Sequence, residues 1–397
     1  MRSNALLNFA RFSISMLKLT HSFLAVFIYT ASLGQTIKVG LETFGNPQSL
    51  ACYINSGAYK VMADGIEVNT INTGESIEIL VSGNGLVALI NSKRSGPFQE
   101  IKLRANKWDS EIRLRSISPK KNDVFLQDNA IFKKAKSGML CISELELEKY
   151  VAGVVEGEAG KGHTPEYYKV QAIISRTYAL ANRKRHIFEG YNLCDKVHCQ
   201  VYHGKARWEP EIPLAAWETK GTVIVDQDIE LITAAFHSNC GGKTLNSEDV
   251  WSKPLSYCKS VKDSFCLTQP HSHWEKSIPK KQWIDYLNKH PEFDSADSLS
   301  KAAATNYFPT EKSLYFADSI PLKQIRADMG LRSTFFTIYE DGEEVKFTGK
   351  GFGHGVGLCQ EGAMKMAELG WKYNDILHFY YSDVHLLHLS VLEFFRD

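Results

Sequence analysis

The chain has almost no charge bias: 46 basic and 45 acidic side chains leave a formal net charge of +1 across 397 residues. A protein dedicated to DNA or RNA carries a basic excess or a basic stripe to meet the phosphates. Neither is present, so nucleic acid is not an expected partner. No internal repeat or long biased tract is visible, and 44% hydrophobic with 23% charged residues is an ordinary globular composition. Long apolar runs are also scarce: the stretch Phe23–Tyr29 is too short to span a bilayer comfortably. The glycine-rich segment Gly351–Gly357 is not followed by Gly-Lys-Ser/Thr, so it is no phosphate loop.

What is present begins at the amino terminus. Lys18, the apolar run Phe23–Tyr29 and the small residues Ala31, Ser32 and Gly34 have the order of a secretory signal peptide over residues 1–34. Export to the periplasm or cell wall is the expectation, with no stable membrane span after cleavage; an uncleaved anchor is the alternative. Gln35 stands where a lipoprotein signal needs cysteine, and Met16 offers a more typical start. Eight cysteines follow. In an oxidising compartment disulfides are available to them, and Cys258 and Cys266 are close enough in sequence to pair, although spacing assigns nothing.

Residues 35–135 read as a β-rich accessory region. Ile37, Val39 and Leu41 alternate with polar residues, and Ser76–Val81, Gly85–Ile90, Glu100–Leu103 and Glu111–Ile117 are short β-branched runs bounded by turn residues. The character changes near Ser143. Thr164-Pro165 predicts a helix start, followed by an apolar stripe of Val170, Ile173, Ile174, Thr177 and Ala181, with Arg183–His186 closing it. Arg176 falls off that stripe and is expected to face a cleft. Strands are expected at Thr222–Val225 and Ile232–His237, surface helices and loops from about Pro270 to Thr310, and a hairpin turning at Asp341-Gly342. A helix near Gln360–Leu369 should stop at Gly370.

Four constellations carry chemistry. Glu156 and Glu158 lie between an apolar run and a flexible turn, where burial would raise a carboxyl pKa toward that of a general acid; taken alone they read more readily as two solvated loop glutamates. His186, Cys194, His198 and Cys199 suit a tetrahedral structural zinc, with His203 in reserve; a Cys194–Cys199 disulfide with bystander histidines is the competing reading. His237 and Cys240 sit in a glycine-rich corner where a Cys-His dyad is a weak alternative. His354, among glycines that let backbone approach a ligand closely, could meet sugar hydroxyls or belong to a tight turn.

Taken in order, these blocks resemble the SpoIID/LytB family of stage II sporulation D proteins and amidase enhancers. The resemblance runs from about Ser143 to the end of the chain. It rests on Leu147–Val155 with Glu158, Val170–Leu180, Leu193–Tyr202, Phe236–Thr244, and Gly351–Gly357 with Gln360, Gly362 and Ala363. It implies an α+β fold in which the β-rich region precedes a mixed α+β catalytic domain, residues 136–397, with a central cleft. It implies further that Glu158 is the catalytic acid, that Arg176, Tyr257 and Lys259 contact substrate, and that zinc is held by His186, Cys194, His198 and Cys199. The family commonly reads Pro-Ser-Glu-Met where this chain reads Glu156-Gly157-Glu158-Ala159, which leaves Glu156 as a rival.

The implied activity is that of a lytic transglycosylase acting on peptide-stripped peptidoglycan glycan strands. Two-carboxylate hydrolases need a second acid, and none is evident beyond the adjacent Glu156. A transglycosylase needs only one. The other expectation, from the amidase-enhancer side, is a wall-binding partner of a peptidoglycan amidase.

Overall fold

The computed structural model describes residues 35–251, 253–291, 293–294 and 296–396; the expected signal segment lies outside the described residues. The described residues are mixed α+β, about 27% helical and 35% strand. Ile37 and Val39 point into the core from the strand Thr36–Gly40 as the alternation requires. That strand lies next to one edge of a seven-stranded sheet running Leu193–Cys194, Thr36–Gly40, Met139–Glu146, Asn129–Lys134, Glu100–Ala105, Ala58–Ala63, Ile66–Asn72. A second sheet holds Val124–Gln127, Glu111–Ser118, Ser49–Ser56, Ser76–Ser82, Gly85–Ile90 and Lys93–Phe98.

Two features of this topology position the site. The paired strands Asn129–Lys134 and Met139–Glu146 flank residue 135, so the early β structure and the helices that follow share one core, reaching from Ile37 to Val384. In addition, Thr36–Gly40 pairs in parallel with Leu193–Cys194, which sets Gly40 opposite Cys194.

The acids Glu156 and Glu158 are not in a flexible turn. They occupy the last turn of a helix, Leu147–Ala159. Leu147, Tyr150, Val151, Val154 and Val155 recur at helical spacing and are buried, and Gly160, at φ 73°, ends the helix. Pro165–Ala181 is a helix capped as predicted, with the Thr164 hydroxyl accepting from Tyr167 N. It ends at Ala181, so Arg183–His186 lie beyond it rather than in its last turn.

The segment expected to be surface helices and loops instead helps to build a second hydrophobic core. The strand His273–Pro279 pairs with Glu344–Lys350, which forms the anticipated hairpin with Phe336–Asp341. Trp274, Trp283, Phe316, Phe336 and Phe347 pack together there. Aromatics separated by loops have no period to betray them. The Ile232–His237 run is strand only at Phe236–His237, paired in parallel with Leu358–Cys359. None of the described helices is long and apolar enough to cross a membrane.

Candidate active site

Glu158 is half-buried at the carboxyl end of its helix. Its Oε1 accepts the backbone amide of Val201 at 2.8 Å. Burial raises its carboxyl above the usual range, against the pull of that amide bond. The approach of residues 201–204 depends on two glycines one turn apart. A Cβ at Gly153 would meet Gly204 O at 2.3 Å, and one at Gly157 would meet Val201 O at 2.7 Å. Glycine at both positions lets the loop lie directly on the helix and aim its amide at Glu158.

Glu156 has a different neighbourhood, because residues two apart on a helix lie about 200° apart. Its Oε2 accepts the amides of Arg207 and Trp208, both at 2.8 Å. It lines a cavity of about 690 Å³ together with Phe125, Lys205, Arg207 and Trp208. Glu156 thus anchors the loop that continues from Val201, while Glu158 receives that loop's amide.

Arg176 does not face a cleft. It is fully buried, and its guanidinium forks onto Glu148 with Nε–Oε1 at 3.0 Å. Its remaining donors reach Thr222 O and Ala216 O, each at 3.0 Å. The helical stripe pointed to an exposed face, but a neighbouring helix and the loop after it cover that face. Arg176 therefore locks the first turn of the acid-bearing helix, whose last turn holds Glu158.

The four Cys and His residues converge. The donor atoms of His186, Cys194, His198 and Cys199 all lie within 4.8 Å of one another. Cys199 Sγ is 3.4 Å from His186 Nε2 and 3.7 Å from His198 Nδ1, and Cys194 Sγ is 3.8 Å from His198 Nδ1. Tetrahedral zinc with ordinary bond lengths has N–S edges of about 3.5 Å, so the set fits that ion. His186 Nδ1 faces Glu189 Oε1 at 3.3 Å, an outer carboxylate of the kind that orients a ligating imidazole. Both thiols are free, so the competing disulfide is not formed. The cluster is only two residues from the Val201 amide.

The remaining candidates separate into two groups. His237 is buried, with Nδ1 against Val356 O at 3.1 Å and Nε2 without a hydrogen-bond partner among the described residues. Its ring centroid is 5.5 Å from that of His354, which also packs on Trp251. Burial lowers both imidazoles, His354 to about 4. His354 lines a cavity of about 270 Å³ with Glu248 and Arg326, and Lys259 pairs with Glu248 at 2.9 Å on its rim. Tyr257, by contrast, is buried and its hydroxyl accepts Thr233 N at 3.0 Å, which makes it a packing residue. The Cys240–His237 dyad does not form, because the thiol lies against Asp263 and Cys266. Nor do Cys258 and Cys266 pair, since all eight cysteines are free.

Two contacts escaped the sequence reading. Gln360 Nε2 reaches Glu158 O at 3.5 Å, bringing the end of the glycine-rich loop beside the acid. His271 and Glu361 form a 2.6 Å pair near Asn239. The Gly153/Gly157 spacing was the one legible sign of close approach; the others involve residues far apart in sequence.

The arrangement defines an α+β protein whose acid-bearing helix is locked by a buried ion pair at one end and meets a loop leading from a Cys/His cluster at the other. The family model described as SpoIID, stage II sporulation protein, matches residues 135–225, which contain this whole unit. The chain is 31% identical over 267 residues to stage II sporulation protein D of Bacillus amyloliquefaciens, covering 61% of this chain and 74% of that protein. It is 30% identical over 283 residues to the amidase enhancer of Bacillus subtilis (strain 168), covering 58% of this chain but 39% of that protein. Stage II sporulation protein D of the same organism is 28% identical over 256 residues, 60% of this chain and 74% of that protein. The chain belongs to the SpoIID/LytB family.

Proposed function

We propose that the chain is an exported peptidoglycan lytic transglycosylase that cleaves the MurNAc–GlcNAc bond of peptide-stripped glycan strands. The observation that carries this reading is Glu158: a half-buried carboxyl with a raised pKa, held among the described residues by the backbone amide of Val201 rather than by a cation. As the acid it donates a proton to the bridging oxygen. As the resulting carboxylate it takes the proton of the MurNAc 6-hydroxyl, whose oxygen closes the 1,6-anhydro ring. No attacking water is needed, hence no second carboxylate. The Val201 amide orients the carboxylate, and the unpartnered Nε2 of His237, with His354 and Lys259, offers groups for sugar hydroxyls. Arg176 acts through Glu148, as a positioning residue.

His186, Cys194, His198 and Cys199 would hold a structural zinc, a closed four-ligand set with no open position. Its contribution would be to fix the loop that begins at Gln200. Export rests on the amino-terminal pattern Lys18 and Phe23–Tyr29.

The test is mass spectrometry of peptide-free glycan strands after incubation with the protein. The expected product has 1,6-anhydro-MurNAc ends and disappears with Glu158→Gln. A hydrolysed reducing end, or an unchanged yield from the variant, overturns the mechanism. The similarity to an amidase enhancer favours a second reading, a non-catalytic wall binder that stimulates a peptidoglycan amidase. Stimulation of an added amidase by Glu158→Gln as strong as by wild type, with no anhydro product from either, supports it.

A further inference from the structure

Away from the acid and the Cys/His cluster, three distant cysteines meet at one point. Cys240 follows the strand Phe236–His237, Cys266 lies in the turn Phe265–Thr268, and Cys359 caps the helix Gln360–Glu368. Asp263 joins them. All four residues are buried, and their ligand atoms lie within 4.8 Å of one another. Cys240 Sγ is 3.4 Å from Cys266 Sγ and 3.3 Å from Asp263 Oδ2.

Neither a disulfide nor plain packing accounts for this arrangement. A disulfide needs sulfurs about 2.05 Å apart, and it would consume two thiols while leaving the third buried beside a carboxylate. Zinc–thiolate bonds of about 2.3 Å give tetrahedral S–S edges of about 3.8 Å, much nearer the separation seen. The surroundings match a metal–thiolate site. Cys359 Sγ accepts the amides of Cys240 at 3.2 Å and Gly362 at 3.4 Å. Asp263 is oriented by Phe265 N at 2.9 Å on Oδ1 and by the Tyr380 hydroxyl at 2.9 Å on Oδ2. A Cβ at residue 362 would stand 2.3 Å from Asp263 Oδ2, so Gly362 keeps the carboxylate's place open. Lys312 Nζ donates to Cys240 O at 2.8 Å and brings positive charge to a set that would become strongly anionic.

We propose that Cys240, Asp263, Cys266 and Cys359 form a second metal site, a closed three-sulfur, one-oxygen set that takes zinc. Loading exchanges up to three thiol protons, released to solvent, for one divalent ion, with no change of oxidation state. The ion ties the strand that carries His237 to the helix whose first residue, Gln360, touches Glu158. It therefore fixes wall against wall rather than taking part in a reaction, and the assignment does not depend on the glycan chemistry.

The test is elemental analysis of the full chain with zinc as the only supplied metal, joined to zinc X-ray absorption. The Cys194→Ser/Cys199→Ser variant should keep one zinc per chain, with three sulfurs and one oxygen around it; Cys240→Ser/Cys266→Ser should lose that ion. If a variant fails to fold, the wild type decides. Two zincs averaging about 2.5 sulfurs each support the site. One zinc with two sulfurs, no zinc, or a Cys240–Cys266 disulfide in a non-reducing peptide map overturns it.

Discussion

The helix Leu147–Ala159 carries a carboxylate near each end, and the two have opposite surroundings. At the first turn, Glu148 is buried against the guanidinium fork of Arg176, with Gly221 N as a further donor at 3.2 Å. At the last turn, Glu158 is half-buried and meets, among the described residues, a backbone amide rather than a cation, and burial lifts its pKa. A buried acid whose charge is matched is part of the scaffold, whereas one whose carboxyl is lifted by burial without a matching charge is suited to moving a proton. The helix uses the first to hold the second in place.

That contrast can be broken from either end. The largest effect is expected at Glu158: Glu158→Gln should lower the cleavage rate by about 10²- to 10⁴-fold while leaving the thermal midpoint close to wild type. A large loss of stability would instead class it with Glu148. Arg176→Ala should do the reverse. Leaving Glu148 buried without its partner costs about 3–5 kcal/mol, read by urea unfolding, and Arg176→Lys should recover only part because it lacks the fork. Wild-type stability in Arg176→Ala with a raised KM would restore the substrate-contact reading.

Gly157→Ala probes the bond between loop and helix. Helix propensity alone favours alanine by about 1 kcal/mol, but its Cβ would meet Val201 O at 2.7 Å. A net loss of about 1–3 kcal/mol with a reduced cleavage rate is expected; a gain in stability would show that the loop yields.

The pH responses carry opposite signs. Glu158 must be protonated to act, so kcat/KM should fall as pH rises through its raised pKa. His354, lowered by burial to about 4, binds its proton more readily unfolded than folded. Stability should therefore fall as pH drops from about 6.5 toward 4, by roughly 2 kcal/mol, and His354→Gln should flatten that slope. Lys259→Ala, which removes an exposed pair with Glu248, should leave the thermal midpoint unchanged and raise KM a few-fold. No change in KM would remove Lys259 from the sugar contacts.

Local pattern was enough for much of this molecule. The period-two alternation at Ile37 and Val39, the Thr164-Pro165 cap and the Asp341-Gly342 hairpin each depend on neighbours a few residues away, so they could be read directly. The spacing of Cys194, His198 and Cys199 also lies within one loop, and so the candidate ligand set was visible. Arg176 was misread because its partner Glu148 is 28 residues away on another helix. The surroundings of Cys266 could not be read from spacing because its neighbours Cys240 and Cys359 are brought to it by strand pairing and a helix cap. The second aromatic core has no sequence period at all.

The order of residues alone therefore offered two candidate acids, Glu156 and Glu158, and the four Cys/His ligand candidates, while the family resemblance it carries implied the α+β character. Only the tertiary structure decided that Glu148 meets a guanidinium while Glu158 meets a backbone amide, and that three more cysteines gather beside Asp263. Burial and charge pairing are properties of the surroundings, and those surroundings come from segments far apart in the chain.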